Sequence, residues 1–176
     1  YTLTLPDIGD YYTLNANSQT MTITKCINNF NVAVRIPNAM TVGETVYHIT
    51  RINGFSDADI KNLVALRLAD DNEPVTGIEG ILEIGSNAFE NYYNLSTVQL
   101  PSSLTTISSS AFSQCVKLTT IEIPKNVHTI GTGAFKQCTN LKSITVADGN
   151  KTFRVENRCL INNKDYGTIG FADYRC

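Results

Sequence analysis

The sequence lacks the features that mark several large classes of protein. No cluster of Lys or Arg occurs along its 176 residues, and the formal net charge is -2. Because phosphate contacts dominate nucleic-acid affinity, this composition argues against a nucleic-acid partner and against an anionic membrane surface. No apolar run is long enough to cross a bilayer, so we predict no transmembrane segment in this chain.

Residues that carry catalysis or hold metals are also scarce. The five cysteines cannot all pair within one chain, and none of them form a Cys-x-x-Cys pair. The two histidines, His48 and His128, are far apart and lack metal-ligand spacing. We find no nucleophile–base pair, phosphate-binding loop or metal cluster, so we predict a protein that is not an enzyme and needs no cofactor.

The sequence does contain a repeat of 23 residues. Three segments align without gaps, beginning at Ile84, Ile107 and Ile130. The shared columns are an Ala-Phe pair (Ala88-Phe89, Ala111-Phe112, Ala134-Phe135), a leucine (Leu95, Leu118, Leu141) and two further apolar positions (Val98 and Leu100, Ile121 and Ile123, Ile144 and Val146). The last two apolar positions of each repeat are two residues apart, which is the spacing of one face of a β-strand.

The pattern of one repeat therefore predicts a strand, a tight turn, a connecting segment with apolar side chains that runs back, and a second tight turn. A single repeat cannot enclose its own apolar face, whereas stacked repeats can, with their strands in a parallel sheet. Crossovers between parallel strands predict a right-handed winding. We expect the sheet on the concave face, with turns, 3₁₀ segments or short helices on the other side.

The pattern continues upstream with a longer step. Val34, Leu66 and Val98 lie 32 residues apart, so residues 34–83 predict two long, degenerate repeats with insertions. The alternating segment Met40–Tyr47 predicts a small hairpin in the first insertion, and the second insertion is expected between Asp70 and Gly80. Such insertions emerge as loops on one edge of stacked repeats.

The two ends depart from the repeat that occupies residues 84–146. Residues 1–33 predict a β-hairpin that caps the first coil, because an uncovered end exposes core and strand edges. Residues 147–176 predict a degenerate repeat, with Phe153 in the isoleucine column and Ile169 in a strand column. The chain begins at Tyr1 without an initiator Met or signal peptide and stops at Cys176 in mid-pattern, so we expect a processed or truncated piece of a longer protein.

The block Ile-Gly-x-x-Ala-Phe-x-x-Cys-x-x-Leu-x-x-Ile-x-Ile-Pro resembles the BspA-like leucine-rich-repeat family, over roughly residues 32–169. The resemblance implies an α/β leucine-rich-repeat solenoid and an extracellular or surface-attached protein. Some relatives act as adhesins that bind host extracellular-matrix proteins or other cells, and the family carries no catalytic motif. Ser108, where the family favours Gly, and Tyr92, in the cysteine column, depart from the pattern.

Cys115 and Cys138 occupy the same column in successive repeats. Parallel side chains hold their Cβ atoms too far apart for a disulfide, so we expect two free, buried thiols. Tyr92 fills the same column one repeat earlier and is expected to stack over the end of this row. Pairing between Cys159 and Cys176 stays open, and Cys26 is expected in the core of the cap.

Other polar motifs carry weaker signals. The acidic tetrad at residues 70–73 lacks the spacing of a calcium loop, which favours a solvated turn over a cation site. Asn94 and Asn150 begin formal glycosylation sequences, although the first contains a core leucine.

The predicted binding surface is the outer face of the strands. Side chains that alternate with the core columns point there. We name seven of them the outer strip: Arg67, Thr97, Gln99, Thr120, Glu122, Ser143 and Thr145. This strip could bind a protein or glycan ligand, including host extracellular matrix, or it could be an ordinary solvated β-face in which Thr is favoured by strand propensity.

The sequence therefore leaves two functions open. The first is a non-catalytic adhesion or binding module, and the second is a structural spacer that presents another domain of a larger surface protein. Aromatic anchors, which often mark binding hot spots, are missing from the outer strip, and Tyr11, Tyr12 and Tyr47 could supply them from the N-terminal end.

Overall fold

The computed structural model describes residues 2, 4–9, 11–25, 33–54, 63–68, 80–164 and 168–169. These residues contain one helical turn, α1 (Leu5–Ile8), and a series of short strands. The strands are β1 (Tyr12–Asn15), β2 (Thr20–Ile23), β3 (Val34–Ile36), β4 (Ala39–Val42), β5 (Thr45–Ile52), β6 (Ala65–Leu68), β7 (Glu83–Ile84), β8 (Thr97–Gln99), β9 (Thr106–Ile107), β10 (Thr120–Ile123), β11 (Thr129–Ile130), β12 (Ser143–Val146), β13 (Phe153–Glu156), β14 (Cys159–Asn162) and β15 (Thr168–Ile169).

The predicted strand columns form parallel pairs, which we call the long-strand ladder. β3 pairs with β6 and β6 with β8, while β10 pairs with β12. The register places Val34 beside Leu66, Leu66 beside Val98, and Ile121 beside Ile144. Parallel strands in the register expected from the 32- and 23-residue steps are therefore confirmed.

A second parallel ladder was not predicted. β2, β5, β7, β9 and β11 pair in that order, and we call them the short-strand ladder. Ile84, Ile107 and Ile130 lie beside one another at the 23-residue step. Three of these strands are only two residues long, so no alternation was long enough to reveal them in the sequence.

The described segments that connect the two ladders consist of turns and contain no helix. Of the expected turns, 3₁₀ segments and short helices, the structure therefore has turns. Instead of bonding within a helix, Phe89 N–H donates to the carbonyl of Ala111 in the next repeat, at 2.8 Å, and Phe112 N–H does the same to Ala134. Two positions per repeat have left-handed backbones, with φ between 56° and 67°. They are Asn87, Ser110 and Gly133 at the first position, and Asn91, Gln114 and Gln137 at the second. Each such residue ends a helical turn before it can propagate.

The core of the regular repeats is a row of stacked aromatic rings. The ring centroids of Phe89 and Phe112 are 5.3 Å apart with planes at 12°, and those of Phe112 and Phe135 are 5.7 Å apart at 3°. Tyr92 meets the ring of Phe89 edge-on, at 5.6 Å and 79°. All four side chains are buried, and aromatic contacts of this kind add about 0.5–1.5 kcal/mol each beyond the burial of apolar area.

The cysteine column behaves as predicted in the regular repeats. Cys115 and Cys138 are free and fully buried. Each thiol donates to a main-chain carbonyl of the preceding repeat, Cys115 to Phe89 at 3.3 Å and Cys138 to Phe112 at 3.1 Å. Burial raises the pKa of the Cys138 thiol to about 11. The pKa of Cys115 is raised further by its burial and by the neighbouring Cys138.

Close stacking explains the glycine at position 131, and the serine at position 108 is accompanied by a hydrogen bond. A Cβ atom on Gly131 would lie 2.3 Å from the backbone nitrogen of Ser109 in the preceding repeat, so the coils can approach this closely only with glycine. One repeat earlier, the Ser108 hydroxyl donates to the carboxylate of Glu83 at 3.0 Å.

Hairpins occur at the N-terminal end and in the first insertion. β1 and β2 pair antiparallel, and β2 continues the short-strand ladder by pairing in parallel with β5. Whether this hairpin acts as a cap stays a prediction. β4 and β5 also pair antiparallel, with Met40 beside Tyr47, as expected for the first insertion. The second insertion, apart from Gly80 at its end, lies outside the described residues, as do the acidic tetrad and Cys26.

The C-terminal segment corrects one expectation. Instead of another parallel coil, β13, β14 and β15 form an antiparallel sheet, with Leu160 beside Ile169. Phe153 remains in the core, but Ile169 does not occupy a parallel strand column. Asn157 and Arg158, at φ 51° and 68°, form the tight turn between β13 and β14, and a turn with two left-handed residues favours a hairpin.

Cysteine pairing in this segment is only partly described. Cys159 is disulfide-bonded. Cys176 lies outside the described residues, so a bond between Cys159 and Cys176 is not tested.

The substitution Gly131→Ala is expected to lower the free energy of unfolding by about 1–3 kcal/mol, because the added methyl group overlaps backbone atoms of the preceding coil. Urea denaturation followed by circular dichroism measures the effect. Thr132→Ala, at an exposed neighbouring position, is the control. An unchanged midpoint for Gly131→Ala would contradict the close packing.

The raised thiol pKa values predict a pH dependence of stability. Below the ordinary thiol pKa of 9.0 both the folded and unfolded states hold the Cys138 proton, so its contribution is fully present. As the pH rises from 9.0 towards about 11, the unfolded state ionises first and stability is lost, at up to about 1.4 kcal/mol per pH unit for each buried thiol. Chemical denaturation at several pH values in this range gives the free energy of unfolding as a function of pH. We expect this free energy to fall less steeply with pH in the Cys115→Ala, Cys138→Ala double variant than in the wild type. Equal slopes would show that the thiols do not cause the loss.

Candidate functional site

The long-strand ladder holds all seven residues of the outer strip on its exposed side. Their side chains are exposed, whereas the residues between them, such as Leu66, Val98 and Ile121, are buried. The strip is therefore a product of strand alternation, which turns every second side chain away from the core.

Register brings the strip residues into rows across the strands. Arg67 lies beside Gln99, and Glu122 lies beside Thr145. Neighbouring strands are about 4.8 Å apart, so side chains in one row can contact the same ligand. Arg67 also lies beside Arg35 of β3.

None of the seven side chains forms a hydrogen bond or an ion pair with the rest of the described chain. Their donors and acceptors are therefore open to solvent or to a ligand. Thr and Ser offer both donor and acceptor, Gln offers an amide, and Arg67 and Glu122 carry opposite charges.

The long-strand ladder is interrupted between β8 and β10. Ser96 N–H donates to the carbonyl of Val64 at 2.8 Å, and Lys142 N–H donates to Thr119 at 2.9 Å. Among the described residues, no equivalent bond runs from Thr119 N–H to Ser96, and the ladder therefore divides into β3-β6-β8 and β10-β12.

Proline removes a further bond across this interruption. Ala147 N–H donates to the carbonyl of Ile123 at 2.9 Å, where β12 leaves the ladder. One repeat earlier the equivalent residue is Pro124, which has no N–H to donate. Within the described chain the carbonyl of Leu100 accordingly has no backbone donor from the next coil.

A shallow groove of about 300 Å³ lies at the interruption, at the carboxyl ends of β8, β10 and β12. Its lining is half polar and half apolar. The polar residues are Gln99, Ser102, Glu122 and Lys125, and the apolar residues are Val98, Leu100, Pro124 and Ala147. Gln99 and Glu122 were predicted as strip residues, so the structure joins part of the strip to a concave site.

Sequence reasoning missed Ser102 and Lys125. Both follow the proline that ends a strand, at the first turn beyond Pro101 and Pro124. Loops at the carboxyl ends of parallel strands commonly carry binding residues, and this rule could have identified them. Glu122 and Lys125 form no ion pair within the described residues, so the groove presents both charges separately.

The tyrosines proposed as aromatic anchors do not lie on the long-strand ladder. Tyr12 is in β1 and Tyr47 is in β5, which both belong to the sheet of the short-strand ladder. Tyr11 is exposed, with the ammonium of Lys25 4.7 Å from its ring centroid. The structure therefore does not bring these aromatic side chains into the strip.

The remaining candidate residues lie outside the outer strip and the groove. His128 shares a hydrogen bond of 3.1 Å with Thr129, and no group of three potential metal ligands occurs in the described ranges. The amide nitrogen of Asn150 donates to the carbonyls of Pro124 and Val127, at 2.9 and 3.0 Å, so this formal glycosylation site is engaged in packing. The described residues contain no helix that is long and apolar enough to cross a membrane.

Comparison with known proteins gives a family match over residues 73–170, more than half of the chain. The matching family is described as a BspA type leucine-rich-repeat region, with six copies. The chain belongs to the BspA-type leucine-rich-repeat family. None of the curated proteins matches its sequence.

Solved structures of bacterial proteins share the fold of this BspA-type protein. A leucine-rich-repeat protein from Bacteroides capillosus is 20% identical, with a TM-score of 0.58 over 77% of this chain and 92% of its own. The leucine-rich-repeat protein of T. pallidum is 21% identical, with a TM-score of 0.60 over 82% and 71%. The pneumococcal vaccine antigen PcpA is 20% identical, with a TM-score of 0.52 over 91% and 54%.

Proposed function

We propose that this BspA-type protein is a secreted or cell-surface binding module that holds a protein or glycan ligand on its outer strip and catalyses no reaction. The observation that carries the proposal is the strip itself. Seven exposed side chains stand in rows on one ladder, and their hydrogen-bonding groups have no partner within the described chain.

The short-strand ladder provides a contrast within the same molecule. There one cluster of half-buried polar side chains is mutually bonded, since Arg51 pairs with Glu83 at 2.9 Å and Glu83 also accepts the Ser108 hydroxyl. Side chains that satisfy each other have less to offer a ligand than side chains that do not. This difference favours the long-strand ladder as the binding face.

The family supports a binding role outside the cell. Leucine-rich-repeat proteins are generally non-catalytic and use their repeats to bind proteins. One protein of similar fold is a vaccine antigen, which fits exposure at a cell surface. Adhesion to host extracellular matrix is one form that this binding would take.

One observation favours the alternative of a spacer that presents another domain. The exposed large hydrophobic residues among the described positions lie outside the outer strip. They are Tyr11, Val46, Val64, Tyr93 and Val155. A strip of small polar side chains without an aromatic anchor is also what an ordinary solvated sheet would present.

A binding screen separates the two functions. The purified protein is tested against arrayed glycans and extracellular-matrix proteins, beside the triple variant Arg67→Ala, Gln99→Ala, Glu122→Ala. We expect the wild type to bind one ligand class and the triple variant to bind it at least about tenfold more weakly, because charged and hydrogen-bonding contacts are lost.

The matched control removes one cation, one anion and one neutral polar group elsewhere on the surface, as Lys136→Ala, Glu44→Ala, Thr129→Ala. It should bind as the wild type does. Absence of binding by the wild type would favour the spacer, whereas equal binding by both triple variants would show that the ligand binds outside the outer strip.

A further inference from the structure

We infer that the groove between β8 and β10 is a subsite for a single uncharged sugar ring, a hexopyranose unit presented by a neutral glycan. The inference rests on the proposed binding function and names the ligand class for one part of the outer strip. It is carried by the size of the groove, the arrangement of its lining and the balance of its charges.

The size of the groove is sufficient for a ring-sized group. The groove measures about 300 Å³, at the lower end of the ~300–1,000 Å³ range of small-molecule sites. It is open at the surface and lies at the ends of three strands, so a ring at the end of a longer chain can enter while the remainder stays in solvent.

The lining matches the two-sided chemistry of a pyranose. Val98, Leu100, Pro124 and Ala147 give an apolar surface against which the C–H face of a sugar can pack. Polar groups around this surface supply both donors and acceptors. The Glu122 carboxylate accepts, the Lys125 ammonium donates, and the Gln99 amide does both, as every sugar hydroxyl also does.

The backbone adds one more acceptor. The carbonyl of Leu100 lacks a donor from the next coil because Pro124 stands where Ala147 donates in the following repeat. A sugar hydroxyl can supply that hydrogen bond. The interruption of the ladder thus creates both the space and an unused polar group beside it.

Charge balance selects a neutral ligand over an ionic one. Glu122 would attract a cationic ligand, but Lys125 in the same groove would repel it. An anionic ligand would be attracted by Lys125 and repelled by Glu122. A neutral polyhydroxylated ring can bond to both charged groups without this conflict. Charged donors and acceptors also form the stronger hydrogen bonds, so both groups are suited to bind sugar hydroxyls.

The test is a two-dimensional ¹H–¹⁵N NMR titration of the intact 176-residue chain. The probes are the methyl glycosides of glucose, galactose, mannose and N-acetylglucosamine, with glucuronate and a short lysine-containing peptide as ionic comparisons. We expect at least one neutral glycoside to shift the backbone amides of Gln99, Leu100, Lys125 and Ala147, with smaller effects from the ionic probes.

Two conservative variants test the lining residues. Glu122→Gln removes the charge while keeping the shape, and Lys125→Met removes the ammonium while keeping most of the apolar stem. Each should weaken glycoside binding by at least about tenfold. Thr132→Ala, exposed and outside the groove, should leave binding unchanged. The dispersed spectrum of each variant shows directly that it has folded.

Several outcomes overturn the inference. These are an absence of shifts with every neutral glycoside, shifts confined to residues outside the groove, equal binding by the Glu122→Gln variant, or stronger binding of the peptide or glucuronate. If the outer-strip triple variant loses a protein ligand while the glycosides cause no shifts, the sugar subsite fails and the binding function stands. If the wild type binds nothing in either experiment, both fail.

Discussion

Hydrogen bonding from one coil to the next is the interaction on which the rest of this structure depends. Phe89 N–H donates to Ala111 in the turns, and Thr105 N–H donates to Leu82 where the short strands begin. Because these bonds leave each coil, a fixed distance between neighbouring coils is imposed along both ladders. The stacked phenylalanine rings, the buried thiols and the glycine at position 131 are all adapted to that one spacing.

The sequence revealed the part of the fold in which repetition amplifies the signal. Val98, Ile121 and Ile144 could be assigned to strands because one column recurs at one period, and Ile121 does pair with Ile144 in the expected register. The short-strand ladder was missed because two residues cannot show a periodicity. The antiparallel end was missed because Phe153 fits the repeat column, whereas the Asn157-Arg158 turn that redirects the chain is a purely local signal.

The candidate site divides in the same way. The outer strip follows from alternation along each strand, so its seven residues are predictable from the sequence. The groove could not be predicted, because it depends on a missing set of backbone bonds between β8 and β10 and on how Ser102 and Lys125 lie beyond the strand ends. Such absences arise from packing between repeats and leave no period in the sequence.

The buried cysteine column has a consequence for the lifetime of the protein. Folded, its two thiols are protonated and shielded by carbonyls of the preceding coil, so an oxidant in the surroundings has no thiolate to attack. Unfolding exposes both thiols and allows their oxidation or mixed-disulfide formation. The enlarged side chains then no longer fit their buried positions. In an oxidising medium, unfolding followed by oxidation is therefore irreversible. The lifetime of the folded protein is then governed by the rate of unfolding and not by the unfolding equilibrium.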